Sequence, residues 1–220
     1  IDHKAGDKAF VDFAGKKLSI IDRETGRRKE VEVFVAILGA SQLTYVEAVE
    51  SQRKEDWIKA NDNALWYFGG VPSALVPDNL KSGVTKGSKY EPDINPEYYD
   101  FARHYGTVIL PTRPHSAKDK ALAESGVNLV YTMIYAPLRD RVFFSLRELN
   151  EAIWELLEEH NNMPFQRLRF SRRQLFEEVE KSELEPLPVR RYEFKKFLHL
   201  KVQFNYHIEL REDRHYYSVP

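Results

Sequence analysis

Apolar and polar positions alternate through the first part of the chain. In Ala9–Gly15, Ala9, Val11 and Phe13 fall on one side and Phe10, Asp12 and Ala14 on the other. That run predicts a β-strand with a carboxylate in its middle. Residues 31–40 are almost unbroken in apolar side chains and residues 43–49 alternate. With the first run they predict an antiparallel meander whose turns lie at Arg23–Gly26 and Gly39–Ser41. From Arg53 the period becomes helical, with Trp57, Ala60, Ala64, Leu65 and Phe68 on one stripe and Gly69-Gly70 as the stop. Ser73–Val76 and Thr107–Leu110 are short apolar runs between turn signals, the pattern of buried strands. Between them lie a Gly- and Lys-containing loop, 81–93, and a helix opened by Asn95-Pro96 and closed by Gly106.

The second half reads mainly as helix. Ser116-Ala-Lys-Asp119 is a variant capping box opening a long helix as far as Ala136, with Leu122, Gly126, Leu129, Val130 and Met133 as its core stripe. Glu124 winds onto the opposite face with Lys120, Asn128 and Tyr131. Ser145-Leu-Arg-Glu148 opens a further helix carrying Leu149, Ile153, Leu156, Leu157 and His160 on one side, and Ser171–Glu180 forms a shorter one. Glu183–Arg191, with Pro186 and Pro188, reads as a linker. Lys201–Leu210 and His215–Val219 read as two strands that begin a small β-barrel module. The expected organisation is therefore a core over 1–140, a helical extension over 141–182, and a linker with a truncated β module over 183–220. The opening on Ile1 and the strand-like last residues suggest a segment of a longer protein.

Composition narrows the chemistry. Cysteine is absent, which excludes disulfides and thiolate–metal sites, and no apolar run reaches membrane-spanning length. With 33 basic and 34 acidic residues the net charge is −1, against a uniformly basic nucleic-acid binder. The distribution is uneven. Residues 101–120 carry Arg103, Arg113, Lys118 and Lys120 with His104 and His115, and residues 163–173 carry Arg167, Arg169, Arg172 and Arg173, while Glu148, Glu151, Glu155, Glu158 and Glu159 sit together between them. Taken singly, each run fits a solvated face.

Asp12 is the exception that asks for a cause, because a charge flanked by Phe10, Val11, Phe13 and Ala14 costs several kcal/mol without compensation. It is either exposed at an edge, paired with an Arg, or a metal ligand. Asp78 follows a buried strand directly, where α/β sheets place chemistry, although Asp-Asn also caps turns. Glu124 is either a surface partner of Lys120 or a third acid. Three such carboxylates suit two-metal phosphoryl transfer, in which hard oxygen ligands hold two Mg²⁺ about 4 Å apart.

These residues lie in motifs that resemble a known family. Gly6-Asp-Lys-Ala-Phe-Val-Asp-Phe13, Val76-Pro-Asp-Asn-Leu-Lys-Ser-Gly-Val84 and Asn95-Pro-Glu-Tyr-Tyr-Asp-Phe-Ala-Arg-His-Tyr-Gly106 come first. Leu110-Pro-Thr-Arg-Pro114, Lys118-Asp-Lys-Ala-Leu-Ala-Glu124, Phe144-Ser-Leu-Arg-Glu-Leu-Asn150 and Tyr216-Tyr-Ser-Val-Pro220 follow. In this order, over nearly the whole chain, they resemble insertion-sequence transposases of the IstA type, in the retroviral-integrase superfamily. The resemblance implies an α/β, RNase H-like fold: a five-stranded mixed sheet flanked by helices, with the first three strands antiparallel and the next two parallel to the first. It implies an Asp-Asp-Glu site at Asp12, Asp78 and Glu124 that holds two Mg²⁺ ions, with Mn²⁺ as a substitute. It also implies 3′-end cleavage and strand transfer on transposon-end and target DNA, an AAA+ ATPase partner of the IstB type, a homo-oligomer on DNA, and a bacterial cytoplasmic location without a membrane. Beside the acids, Lys81, Lys86, Lys89, Arg113, His115, Lys118 and Lys120 are candidates for DNA contact, some at a helix N-terminus that favours phosphate. The alternative is a non-catalytic RNase H-like assembly module in which Arg167–Arg173 and Arg190–Lys201 dock protein or DNA. A paired-carboxylate glycosidase leaves the basic segments without a role.

Overall fold

The computed structural model describes residues 3–77, 84–85, 93–110, 126–166, 169–198, 200–210 and 215–218. Its sheet is built on β1 (Lys8–Phe13), which pairs antiparallel with β3 (Arg28–Leu38) on one flank and parallel with β5 (Ala74–Pro77) on the other. β3 pairs antiparallel with β4 (Thr44–Val49), and β5 pairs parallel with β8 (Val108–Ile109). The spatial order is thus β4-β3-β1-β5-β8. Two antiparallel partnerships and two parallel ones around β1 match the arrangement expected from the sequence.

One strand was not foreseen. β2 (Leu18–Ile21) pairs with the first residues of β3, on the same flank that β1 occupies further along. The two behave as one long strand interrupted at residues 14–17, because β3 is long enough to pair with both. The Arg23–Gly26 turn consequently joins β2, not β1, to β3. Asp22 organises that turn, its Oδ1 accepting from the Glu24 and Thr25 N–H groups and from the Thr25 hydroxyl, while Gly26 takes a φ of 66°. Those hydrogen bonds hold the Asp22 carboxyl below its usual range.

Eight consecutive residues of β3, Val31–Leu38, are buried, so both faces of the sheet are covered. On one face lies α1 (Lys54–Phe68), whose buried positions include the predicted Trp57, Ala60, Ala64, Leu65 and Phe68. Gly69 ends it in the left-handed region, its N–H bonded to the Leu65 and Trp66 carbonyls. α2 (Pro96–Tyr105) starts at Asn95, whose side chain accepts from the Glu97 N–H, and ends at Gly106, also left-handed. Phe13 and Phe34 meet Trp57 at ring distances of 5.2 Å, and Trp57 meets Tyr98 at 5.8 Å, so one aromatic row joins the sheet to both helices.

The other face carries α3, described over 126–138 and containing a π-turn at Tyr131–Tyr135. Its buried positions are Gly126, Val130, Ile134 and Leu138, four residues apart throughout. The expected Leu129 and Met133 are only half-buried, and past Val130 the π-turn, which widens the helical repeat, brings Ile134 rather than Met133 to the core. The start of this helix, including Leu122, lies outside the described residues.

α4 (Leu146–Asn162) runs along the outer edge of β4. Asn150 accepts from the Ala48 N–H and donates to the Ala48 carbonyl, and Asn161 does the same at Thr44. Between them the Trp154 indole N–H donates to the Val46 carbonyl at 3.1 Å. Three side chains of one helix thereby satisfy the outward backbone groups of alternate residues along β4.

α5 begins at Arg172 and continues through a π-turn, Phe176–Glu180, to Glu183. Glu180 is fully buried and accepts from the backbone N–H groups of Ser41 at 2.7 Å, Ala40 at 3.3 Å and Gly6 at 3.4 Å. It fastens the helical extension to the β3–β4 turn and to the segment before β1. The stretch read as a linker is docked: Val71 and Glu185 exchange two backbone hydrogen bonds, and residues up to Phe197 lie along α1 and α2. Gly70 permits this approach, since a Cβ there would stand 2.6 Å from the Leu184 Cβ. β9 (His207–Leu210) and β10 (His215–Ser218) form the final hairpin, and β6 (Val84–Thr85) and β7 (Asp93–Ile94) form a short ribbon.

Replacing Glu180 by Ala leaves three buried N–H groups unpaired, so we expect a loss of about 3 kcal/mol in urea unfolding, with Glu180→Gln losing less. His160, buried on α4, has its pKa pushed down to about 4, first by burial and then by the Arg172 guanidinium. The unfolded chain therefore takes up this proton first. The stability His160 contributes is full above its ordinary pKa of about 6.5 and is lost as pH falls from there towards 4, by about 3 kcal/mol. Unfolding curves at pH 7 and pH 4.5 should show this slope, and His160→Gln should flatten it.

Candidate active site

Asp12 lies near the C-terminal end of the central strand, opposite Val35 of β3. It is half-buried, whereas Val11 and Phe13 on either side are buried. The Phe13 N–H donates to Asp12 Oδ1 at 2.8 Å, which fixes the carboxylate against its own strand. Phe10, two residues before, shares the face of Asp12 and packs with Val76 of β5 in a small cluster separate from the main core. The His3 ring stands edge-on to Phe10 at 5.2 Å. Asp12 therefore rests on an apolar floor while its own side chain keeps access to water.

The remaining predicted site residues, Asp78 and Glu124, lie outside the described residues, as do Lys81, Lys86, Lys89, Arg113, His115, Lys118 and Lys120. The described chain comes close to both acids in sequence. Pro77, directly before Asp78, is the register partner of Val11, the residue before Asp12. Gly126, two residues after Glu124, sits against Ile37, where a Cβ would meet the Ile37 Cδ1. Ile37 is in turn the register partner of Phe10. The strand end that precedes one acid and the helical turn that follows the other thus both pack within two residues of Asp12 in register.

Beyond Asp12, the chain at residues 15–17 is tied to α3. Tyr131 accepts from the Lys16 N–H at 3.1 Å, and Tyr135 donates to the Lys16 carbonyl at 2.5 Å. Burial raises the Tyr135 hydroxyl well above its usual range, so it stays protonated and acts as a donor.

Several cations proposed for docking are taken up within the chain. Arg173 bonds Glu158 and the Tyr67 hydroxyl. Arg191 bonds Asp62 and Asn63 over the Trp66 ring, and Tyr105 donates to the same Asp62. Lys195 and Tyr192 both donate to Asp100, whose carboxyl is held low chiefly by Lys195. Glu148 is likewise engaged, by Arg23 and by the Phe144 N–H, so the acidic run on α4 is not a bare surface. Charge in the sequence marked these residues, but only the fold shows that they spend it on each other.

No protein-family model matches the chain. A putative transposase for insertion sequence IS408 from Burkholderia multivorans is 44% identical over 218 residues, which cover 99% of this chain. Over nearly its whole length the chain is similar to insertion-sequence transposases. It spans 42% of the length of that relative. The fold agrees with the sequence. A chain of a simian T-cell lymphotropic virus intasome superposes with a TM-score of 0.60 at 14% identity, covering 90% of this chain and 62% of its own. The HTLV-2 integrase catalytic core domain, solved in complex with magnesium, gives 0.54 at 14% identity, covering 79% and 97%. The segment thus has an integrase-like, RNase H-like fold in which Asp12 occupies the central strand.

Proposed function

We propose that this segment is the catalytic core of a DNA transposase that cleaves at transposon 3′ ends and joins them to target DNA. The observation that supports it is a half-buried carboxylate on the central strand of an integrase-like sheet, in a chain 44% identical to a putative transposase. Asp12, Asp78 and Glu124 act together. In the first step a water oxygen bonds to phosphorus and the P–O3′ bond breaks, leaving a 3′-hydroxyl on the transposon end. In the second, that hydroxyl oxygen bonds to a target phosphorus and a target P–O3′ bond breaks.

The donor chemistry fits a hard divalent cation, since Asp12 offers carboxylate oxygen and the chain has no cysteine thiolate. Asp12, Asp78 and Glu124 would hold two Mg²⁺ ions, which when bound supply activation of the attacking oxygen and stabilisation of the leaving oxygen. The related HTLV-2 core was solved with magnesium, which supports the choice of ion. The chain itself contributes rigidity: β1 is paired on both flanks, so Asp12 needs little reorganisation on reaction. The whole protein acts as a homo-oligomer on DNA with an AAA+ ATPase of the IstB type.

In the full-length protein, Asp12→Asn and Asp78→Asn should each lower strand transfer by roughly a thousandfold, the equivalent of about 4 kcal/mol, while leaving DNA binding and the thermal melt intact. Retained joining by either variant would sink the assignment. Mn²⁺ binding by electron paramagnetic resonance, saturable in the parent and lost in Asp78→Asn, checks the ligands independently of turnover.

A further inference from the structure

A second site lies on the other side of residues 15–17 from Asp12. A cleft of about 370 Å³ opens between the β1–β2 junction and α3 with the chain that follows it. Lys16, Lys17, Arg28, Arg139 and Arg141 line it, and among the described residues no carboxylate does. Lys17 is neutralised by Glu32 at 2.8 Å and by Glu30 at 3.7 Å. The others keep their charge available. Lys16, Arg28 and Arg141 make no ion pair with any described carboxylate, Arg28 bonding instead to the Ser19 hydroxyl. Arg139 meets its neighbour Asp140 at 3.5 Å with both side chains largely in water, which is a weak pairing.

The cleft is held in shape from beneath. Tyr131 and Tyr135 grip the Lys16 backbone, and the Lys16 ammonium lies over the Tyr131 ring at 5.0 Å. The Arg141 guanidinium lies over Phe143 at 5.1 Å. Four cations around a small open cleft match a run of backbone phosphates, which duplex DNA presents at about 3.4 Å of axis per strand. Lys16 follows Asp12 by four residues, across the interruption between β1 and β2.

We infer that this cleft binds the sugar–phosphate backbone of duplex DNA beside the reacting phosphate, through Lys16, Arg28, Arg139 and Arg141. Its position relative to the reaction and the choice of DNA as the polyanion rest on the transposase reading above; its attraction for phosphate does not. The bonds it makes are charge-assisted contacts to phosphate oxygens, so it positions DNA without reading sequence.

The test is binding of a fluorescent DNA duplex to the 220-residue chain in EDTA, followed by anisotropy over a salt series, with a thermal melt of each variant. Arg139→Gln with Arg141→Gln should weaken binding by roughly tenfold to a hundredfold near 0.1 M salt and lower the log–log salt slope by about two. A control pair, Arg147→Gln with Lys181→Gln, removes two exposed cations outside the cleft and should stay within about twofold. Unchanged affinity in the cleft pair, an equal loss in the control pair, or tighter binding of duplex RNA than of duplex DNA would each overturn the inference. Strand transfer by the parent protein is assayed separately, so a failure of the catalytic reading is distinguishable from a failure of the cleft.

Discussion

Hydrogen bonding on both flanks of β1 is the constraint from which the rest of the core follows. Five residues are in antiparallel register with β3 and four in parallel register with β5. A shift of one residue would turn Phe13 out of the aromatic row and drive Asp12 into it, against Trp57 and Phe34. The apolar residues of β1 therefore fix where its one acid emerges. Burial of Val11 and Phe13 on one face and of Phe10 on the other leaves Asp12 the only half-buried position in the strand beyond Lys8. Precision at the carboxylate comes from packing two residues away, as a preorganised site requires.

The C-terminal half acts on this core as a strap. Glu180 anchors one end by accepting three backbone N–H groups in a fully buried position, and the segment after it crosses α1 and α2. Along that path the contacts alternate between backbone pairing at Val71 and side-chain pairing at Asp62 and Asp100. Exposed pairs of this kind contribute little singly. The Arg191–Asp62 pair is different, because Asp62 is buried and is also bonded by Tyr105, so removing the cation strands a carboxylate. Charge that would otherwise be available to a partner is used to hold the strap.

How much of this was legible in the sequence depends on how local the cause is. Asn95-Pro96 and Gly106 delimit α2 as read, because capping and left-handed termination are decided within a few residues. The Trp57–Phe68 stripe was likewise legible from its period. Asp12 stood out because an acid in an apolar strand demands compensation. β2 was missed because Leu18–Ile21 is too short to show alternation and exists by pairing with the overlong β3. Asn150, Asn161 and Glu180 were missed because their partners are backbone groups more than a hundred residues away, which carry no signature in sequence. Asp78 was singled out by its place after a buried strand and Glu124 by its helix face and motif, and both fall outside the described residues.

The two asparagines and the tryptophan of α4 have a consequence for how copies of this chain can meet. They mimic the backbone of a neighbouring strand along Thr44, Val46 and Ala48. An incoming peptide would have to break five hydrogen bonds and peel away a helix to add itself there. Copies of this chain are thus barred from fusing into a continuous ribbon through β4. That side of the sheet is sealed from within.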